Sequence, residues 1–235
     1  MPPINERLRV LEPSLTRGLK RVLDVVVSAV ALLLLSPLLG VVTAILWLQM
    51  GRPILFRQQR PGYRSVPFFA LKFRSMTDRR DAQGRLRPDA ERITRLGAFL
   101  RRSSLDELPQ FWNVLRGDMS LVGPRPLLMQ YLHRYTPEQA RRHSVPPGIT
   151  GWTQVNGRND LPWEKKLALD VWYVDHWSLW LDLRILGITV WKVLKGEGIS
   201  AEGSATMPEF MGSEAPASDE RAPCPLIQKR AEHTR

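Results

Sequence analysis

Residues 25–48 read VVVSAVALLLLSPLLGVVTAILWL, a run of 24 positions without a charged side chain. As one helix it would measure about 36 Å, against about 30 Å of bilayer hydrocarbon. Pro37 sits near its middle, directly after Ser36, where it removes a backbone donor and crowds the carbonyl of Leu33. Each half then reaches about halfway through a bilayer. Arg17, Lys20 and Arg21 precede the run and Arg52, Arg57, Arg60 and Arg64 follow it, so the positive-inside rule designates no outer end. The pattern predicts a re-entrant helix over residues 17–50, broken at Ser36-Pro37; a kinked helix crossing the bilayer is the alternative. Residues 1–16 are polar and mixed and read as a flexible arm.

Past Gly51 the hydrophobic period shortens. Residues 54–56 and 68–74 flank a loop containing Pro61-Gly62, which predicts a hairpin with a long connection. In its second strand Phe69, Leu71 and Phe73 alternate with Ala70, Lys72 and Arg74, so both bases share a face. Residues 78–90 are charged and loop-like, and a short basic helix is expected from about 91 to 101. Next comes RRSSLDELPQFWNVLRGDMSLVGPRP, residues 101–126. Pro109 belongs in a first helical turn and Gly117 at a helix end, with Leu108, Phe111, Trp112 and Leu115 on an apolar face opposite Asp106, Gln110 and Asn113. Thr136-Pro137-Glu138-Gln139 is a capped helix start. The glycine- and proline-rich loop at 145–159, whose strong cation is Arg158, is expected to approach a ligand closely. Helices follow from Pro162 to about His176 and from Trp180 to Lys195, and a disordered polar tail is expected over 213–235.

Composition narrows the partners. A formal charge of +11 in 235 residues favours nucleic acid, an anionic membrane or a phosphorylated substrate. The bases are scattered among strands, turns and helix ends without a nucleic-acid-binding motif, which leaves a membrane-anchored nucleic-acid binder as the weaker reading. A non-catalytic scaffold is a third. The single cysteine, Cys224, excludes a disulfide within the chain and a cysteine-based metal site. The chemistry-bearing stretch is Asp106-Glu107, bracketed by Arg101, Arg102 and Arg125, where helical N–H groups and guanidinium forks both favour a phosphate. Ser104 with Glu107 three residues on is also a capping box, so the pair reads equally well as a structural helix start.

Five motifs in order decide between these readings. They are the apolar segment with Ser36-Pro37, Lys72-Phe73-Arg74-Ser75-Met76, Ser104-Leu105-Asp106-Glu107-Leu108-Pro109, the run from Gly117 to Pro124-Arg125-Pro126, and Pro147-Gly148-Ile149-Thr150-Gly151-Trp152. Together they resemble the bacterial sugar transferases, the small monotopic phosphoglycosyl transferases. The resemblance implies an α+β, mainly helical fold: the re-entrant helix pair, then a small cytoplasmic α/β catalytic domain over 51–212 with amphipathic interfacial helices. It implies transfer of sugar 1-phosphate from a UDP-sugar to polyprenyl (undecaprenyl) phosphate, with release of UMP. Asp106 would carry a covalent phosphosugar, Glu107 would assist, and Mg2+ would be held at Asp106 and Glu107. Lys72, Arg101, Arg125 and Arg158 would bind phosphate. The expected location is the cytoplasmic leaflet of the bacterial inner membrane, with no nucleic-acid partner; homo-oligomers and contacts with downstream glycosyltransferases are left open. Residues 198–203 and 210–212 resemble small members that handle acetamido-sugars such as bacillosamine-type donors.

Overall fold

A computed structural model describes residues 4–157, 161–195 and 209–212. The apolar run lies in one helix, α1 (Ile4–Met50), which starts inside the stretch read as a flexible arm and carries through Ser36-Pro37 as a single element. The helix is therefore continuous through the predicted break. Ser36 Oγ donates to the Leu33 carbonyl at 2.8 Å, the acceptor that Pro37 deprives of an amide partner. The mean hydropathy of the helix reaches 2.7 while 11% of that window is buried, which is not how the core helix of a soluble domain behaves.

Two separate parts of α1 are fastened to the rest of the protein. Near its start, Lys20 pairs with Asp182 at 2.6 Å and donates to the Val122 carbonyl, and the Leu121 amide donates to Asp24. Arg21 donates to the carbonyls of Val114 and Leu115. Bases that the sequence presents as a membrane flank are thus bound into the protein. Further along, Val42 and Leu46 are buried with Phe73 and Leu100, whereas Leu33 and Leu34 between the two attachments are exposed.

The hairpin forms from β1 (Leu55–Pro61) and β2 (Pro67–Phe73), antiparallel, with Leu55 opposite Phe73 and Pro61 opposite Pro67. Its connection is residues 62–66, shorter than expected, because both strands run on into their prolines. The helices that follow are α2 (Asp89–Arg92), α3 (Arg95–Arg102), α4 (Gln110–Arg116), α5 (Pro137–Ala140), α6 (Trp152–Val155), α7 (Trp163–Asp175) and α8 (Leu179–Lys195). Thr94 caps α3, and Thr136 with Gln139 closes the predicted capping box on α5. A parallel pair, β3 (Ser120–Val122) and β4 (Gly148–Thr150), packs with Phe68, Val114 and Ile185 in the main core.

One expectation is corrected. The buried side of α4 carries Gln110, Asn113 and Val114, while Trp112 is exposed. Asn113 is drawn inward by the free edge of β2: its Nδ2 donates to the Phe69 carbonyl and its Oδ1 accepts from the Leu71 amide, satisfying backbone groups that no neighbouring strand covers. Two glycines of the 145–159 loop serve chain packing. A Cβ on Gly148 would lie 2.1 Å from the Gly123 nitrogen and one on Gly151 2.2 Å from the Gly123 oxygen, so backbone meets backbone at both. Arg158 lies outside the described residues.

Candidate active site

The acidic pair sits where the chain turns from α3 into α4. Ser104 adopts a left-handed conformation, φ 56°, uncommon for serine, and a 3-10 turn over Leu105–Glu107 follows. Pro109 then caps α4, and Gly117 at φ 90° ends it. The Ser104 side chain makes no capping hydrogen bond, so the structural reading of Ser104 and Glu107 is not realised.

Glu107 is instead a hub for cations. Its Oε1 accepts from Lys72 Nζ at 2.7 Å and from Arg125 Nη2 at 2.5 Å, and Arg125 Nη1 reaches Oε2 at 3.3 Å. Burial by itself would raise its pKa, but Arg125 and Lys72 hold the carboxyl well below the usual carboxylate range. It stays ionised, with both oxygens engaged.

Asp106 is the contrast. Its residue is 7% exposed, yet among the described residues its carboxylate makes no hydrogen bond and no ion pair. Burial, then the charge on Glu107, raises its pKa; Lys72, Arg125 and Arg101 act the other way. Arg101 has no carboxylate partner among the described residues, its Nε donating to Ser75 Oγ at 2.9 Å. The fold therefore brings together Lys72, Arg101, Asp106, Glu107 and Arg125 from three places in the chain, as the sequence motifs require.

Other supports were not legible. Arg142 is buried against Asp170 at 2.7 Å, and its Nη2 donates to the Arg125 carbonyl at 2.6 Å, fixing the backbone that presents Arg125. Asp182 gathers Lys20, Tyr173 Oη at 2.7 Å and Trp177 Nε1 at 3.2 Å; Lys20 and Tyr173 also donate to the carbonyl of Val122, three residues before Arg125. The base that pairs with Asp182 lies 162 positions away in the chain. Arg60 is in the field of Arg125, and His143 lines a cleft with it; from sequence the first looked like a membrane flank, and the second carried no signal.

Among the described residues no group of three His, Cys, Asp or Glu side chains could form an all-protein cage. Mg2+ characteristically takes one or two carboxylates and completes its shell with water and substrate phosphate. Asp106, with no hydrogen bond on its carboxylate among the described residues, fits that mode; Glu107 would have to release Lys72 or Arg125 to join it.

Residues 15–196 match the family model described as bacterial sugar transferase. The chain is 54% identical over 195 residues to an uncharacterized sugar transferase, EpsL, of Bacillus subtilis (strain 168), covering 83% of this chain and 96% of that protein. It is 45% identical to an undecaprenyl-phosphate glucose phosphotransferase of Komagataeibacter xylinus, over 73% of this chain and 35% of that one. It is also 41% identical to a UDP-glucose:undecaprenyl-phosphate glucose-1-phosphate transferase of Escherichia coli (strain K12), over 75% and 40%. The chain thus spans nearly all of the first relative and well under half the length of the other two.

Proposed function

The chain belongs to the bacterial sugar transferase family, and on that footing we propose that it moves a sugar 1-phosphate from a UDP-sugar to polyprenyl phosphate through a phosphosugar on Asp106. The observation that carries this reading is a buried carboxylate without hydrogen-bond partners among the described residues, set in the field of Lys72, Arg125 and Arg101. The names of relatives in the family, a glucose phosphotransferase and a glucose-1-phosphate transferase acting on undecaprenyl phosphate, support the same reaction class. An Asp106 oxygen attacks the β-phosphorus of the donor, the bond from that phosphorus to the bridging oxygen breaks, and UMP departs with the electron pair. An oxygen of polyprenyl phosphate then attacks the same phosphorus, freeing Asp106 and giving the polyprenyl diphosphate sugar. A covalent step lets a soluble donor and a lipid acceptor use one small site in turn.

Bringing a carboxylate to a diphosphate crowds like charges, and the basic side chains offset that repulsion. Glu107, with both oxygens engaged, positions Lys72 and Arg125 for the phosphoryl group. Mg2+, when bound at Asp106 and the donor phosphates, would neutralise developing charge on the phosphoryl oxygens. UMP release in nanodiscs, followed with a panel of UDP-sugars, tests the function. Multiple turnovers are expected only with polyprenyl phosphate and Mg2+ both supplied, and turnover that ignores the lipid would refute the acceptor.

The membrane reading is a re-entrant α1 that enters and leaves the cytoplasmic leaflet of the inner membrane. Attachment of residues 20–24 and 42–46 to one body, with exposed leucines between, supports it. Cysteines introduced near residue 10 and at Arg64, with Cys224 replaced by Ser, should both be shielded from an impermeant thiol reagent in intact cells. Labelling near residue 10 from outside would establish a span instead.

A further inference from the structure

We propose that Arg60, beside Arg125, forms the subsite for the phosphate of the departing nucleoside monophosphate; this rests on the transfer reading above. The strand register supplies the geometry. Arg60 lies opposite Phe68 and Lys72 opposite Phe56. Paired residues and those two apart share a side, so Arg60 and Lys72 project from the same face of the hairpin. Their rows are four residues apart, about 13 Å along the strand, a separation that two long side chains can narrow from either end.

The chain next to Arg60 reaches the site: Pro61 lines a cleft together with Arg125, which puts the end of β1 that carries Arg60 beside Arg125. Lys72, Arg125 and Arg101 act on Asp106, and Arg60 is in the field of Arg125 and Glu107. A diphosphate with its β-phosphorus at Asp106 and Arg125 extends its other phosphate towards Arg60. Arg60 has room to accept it: its guanidinium donates to the neutral Gln58 Oε1 at 2.6 Å and has no carboxylate partner among the described residues. Burial and Arg125 lower its pKa to about 10, so it keeps its proton at neutral pH, and a dianion there would relieve the repulsion between the two guanidinium groups. Against Lys72, Arg101, Arg125 and Arg60 the site sets the carboxylates of Asp106 and Glu107, leaving a surplus of two positive charges even with both ionised.

A second observation extends the subsite beyond charge. A small cleft, with about 10 Å³ of space, is lined by Pro61, Arg125, Pro126, Arg142 and His143, among others. His143 is 5% exposed, and its Nε2 has no hydrogen-bond partner among the described residues. Burial and Arg142 hold its pKa down to about 3, so the ring is neutral, and with the Gly62 backbone engaging the ring Nε2 is left as an acceptor. A nucleoside phosphate matches both features, giving its phosphate to the arginines and a hydroxyl or N–H to Nε2.

Inhibition of the full chain by UMP, in nanodiscs, reads this out. Arg60→Ala should raise the UMP inhibition constant about tenfold or more, the size expected for loss of a charge-assisted hydrogen bond. Arg60→Lys should raise it less. Arg57→Ala, at an exposed neighbour that lies over Phe69, should leave it unchanged. His143→Gln should weaken inhibition by UMP but not by pyrophosphate, which lacks the nucleoside. Should Arg60→Ala fail to fold, Arg60→Lys gives the deciding comparison. Wild-type inhibition that persists unaltered in a folded Arg60 variant overturns the subsite alone. A wild-type protein that neither releases nor responds to UMP overturns the transfer reading and the subsite with it.

Discussion

Asp106→Asn is expected to abolish turnover, by roughly a thousandfold or more, as replacement of a nucleophile does elsewhere. The variant should stay folded, with unchanged or slightly higher thermal stability, because the native carboxylate makes no hydrogen bond among the described residues and its charge is buried. Near-normal UMP release by this variant would remove Asp106 from the chemistry. The same carboxyl sets the acid limb of the wild-type pH profile. Burial and Glu107 raise its pKa, so the reactive anion is fully present above that raised value and is lost as the pH falls through it. Activity should fail at a higher pH than an ordinary carboxylate would dictate. Glu107 behaves oppositely: its pKa is depressed, so the stability it contributes is present above its unfolded value and is lost only as the pH falls through the much lower folded one.

Asp182→Ala should be strongly destabilising, although it lies away from the reaction centre. It would leave the Lys20 ammonium, 13% exposed, without its carboxylate and deprive Tyr173 and Trp177 of an acceptor. Removing one partner of a buried pair costs about 3–5 kcal/mol. The loss should appear in thermal unfolding in detergent, together with a lower transfer rate, since Lys20 and Tyr173 both hold the Val122 carbonyl on the strand that leads to Arg125. Unchanged unfolding and rate would show that this junction does not fasten α1 to the site.

Local signals reached far into this fold. The α5 capping box, the glycine stop at Gly117 and the boundaries of α7 and α8 are all decided within a few residues of chain, and they form where the sequence places them. The hairpin was legible for the same reason, while its short connection was not: Pro61 and Pro67 looked like loop residues but face each other as its last pair. The burial of α4 was misjudged because helical periodicity sorts residues by polarity. Asn113 is worth more inside, where it completes the edge of β2, than in water. Likewise Lys20 and Arg21 look like membrane-flanking bases until the fold supplies their partners.

At the site, Asp106, Glu107, Lys72, Arg101 and Arg125 were all named from motifs, and the structure brings them together. The division of labour between the two acids was not visible. Adjacent in sequence, they differ because Glu107 points at Lys72 and Arg125 while the Asp106 carboxylate has no hydrogen-bond partner among the described residues. Arg142 escaped notice because its role runs through a backbone carbonyl, a contact with no signature in residue type.

The most direct measurement is the mass of the wild-type protein, quenched in acid after mixing with a UDP-sugar and Mg2+ in the absence of lipid acceptor. One sugar phosphate per chain, mapping to the peptide that contains Asp106 and disappearing when polyprenyl phosphate is added, is the expected result. Unmodified protein under conditions where UMP appears only once the lipid is present would mean direct transfer between the two substrates, with no covalent role for Asp106.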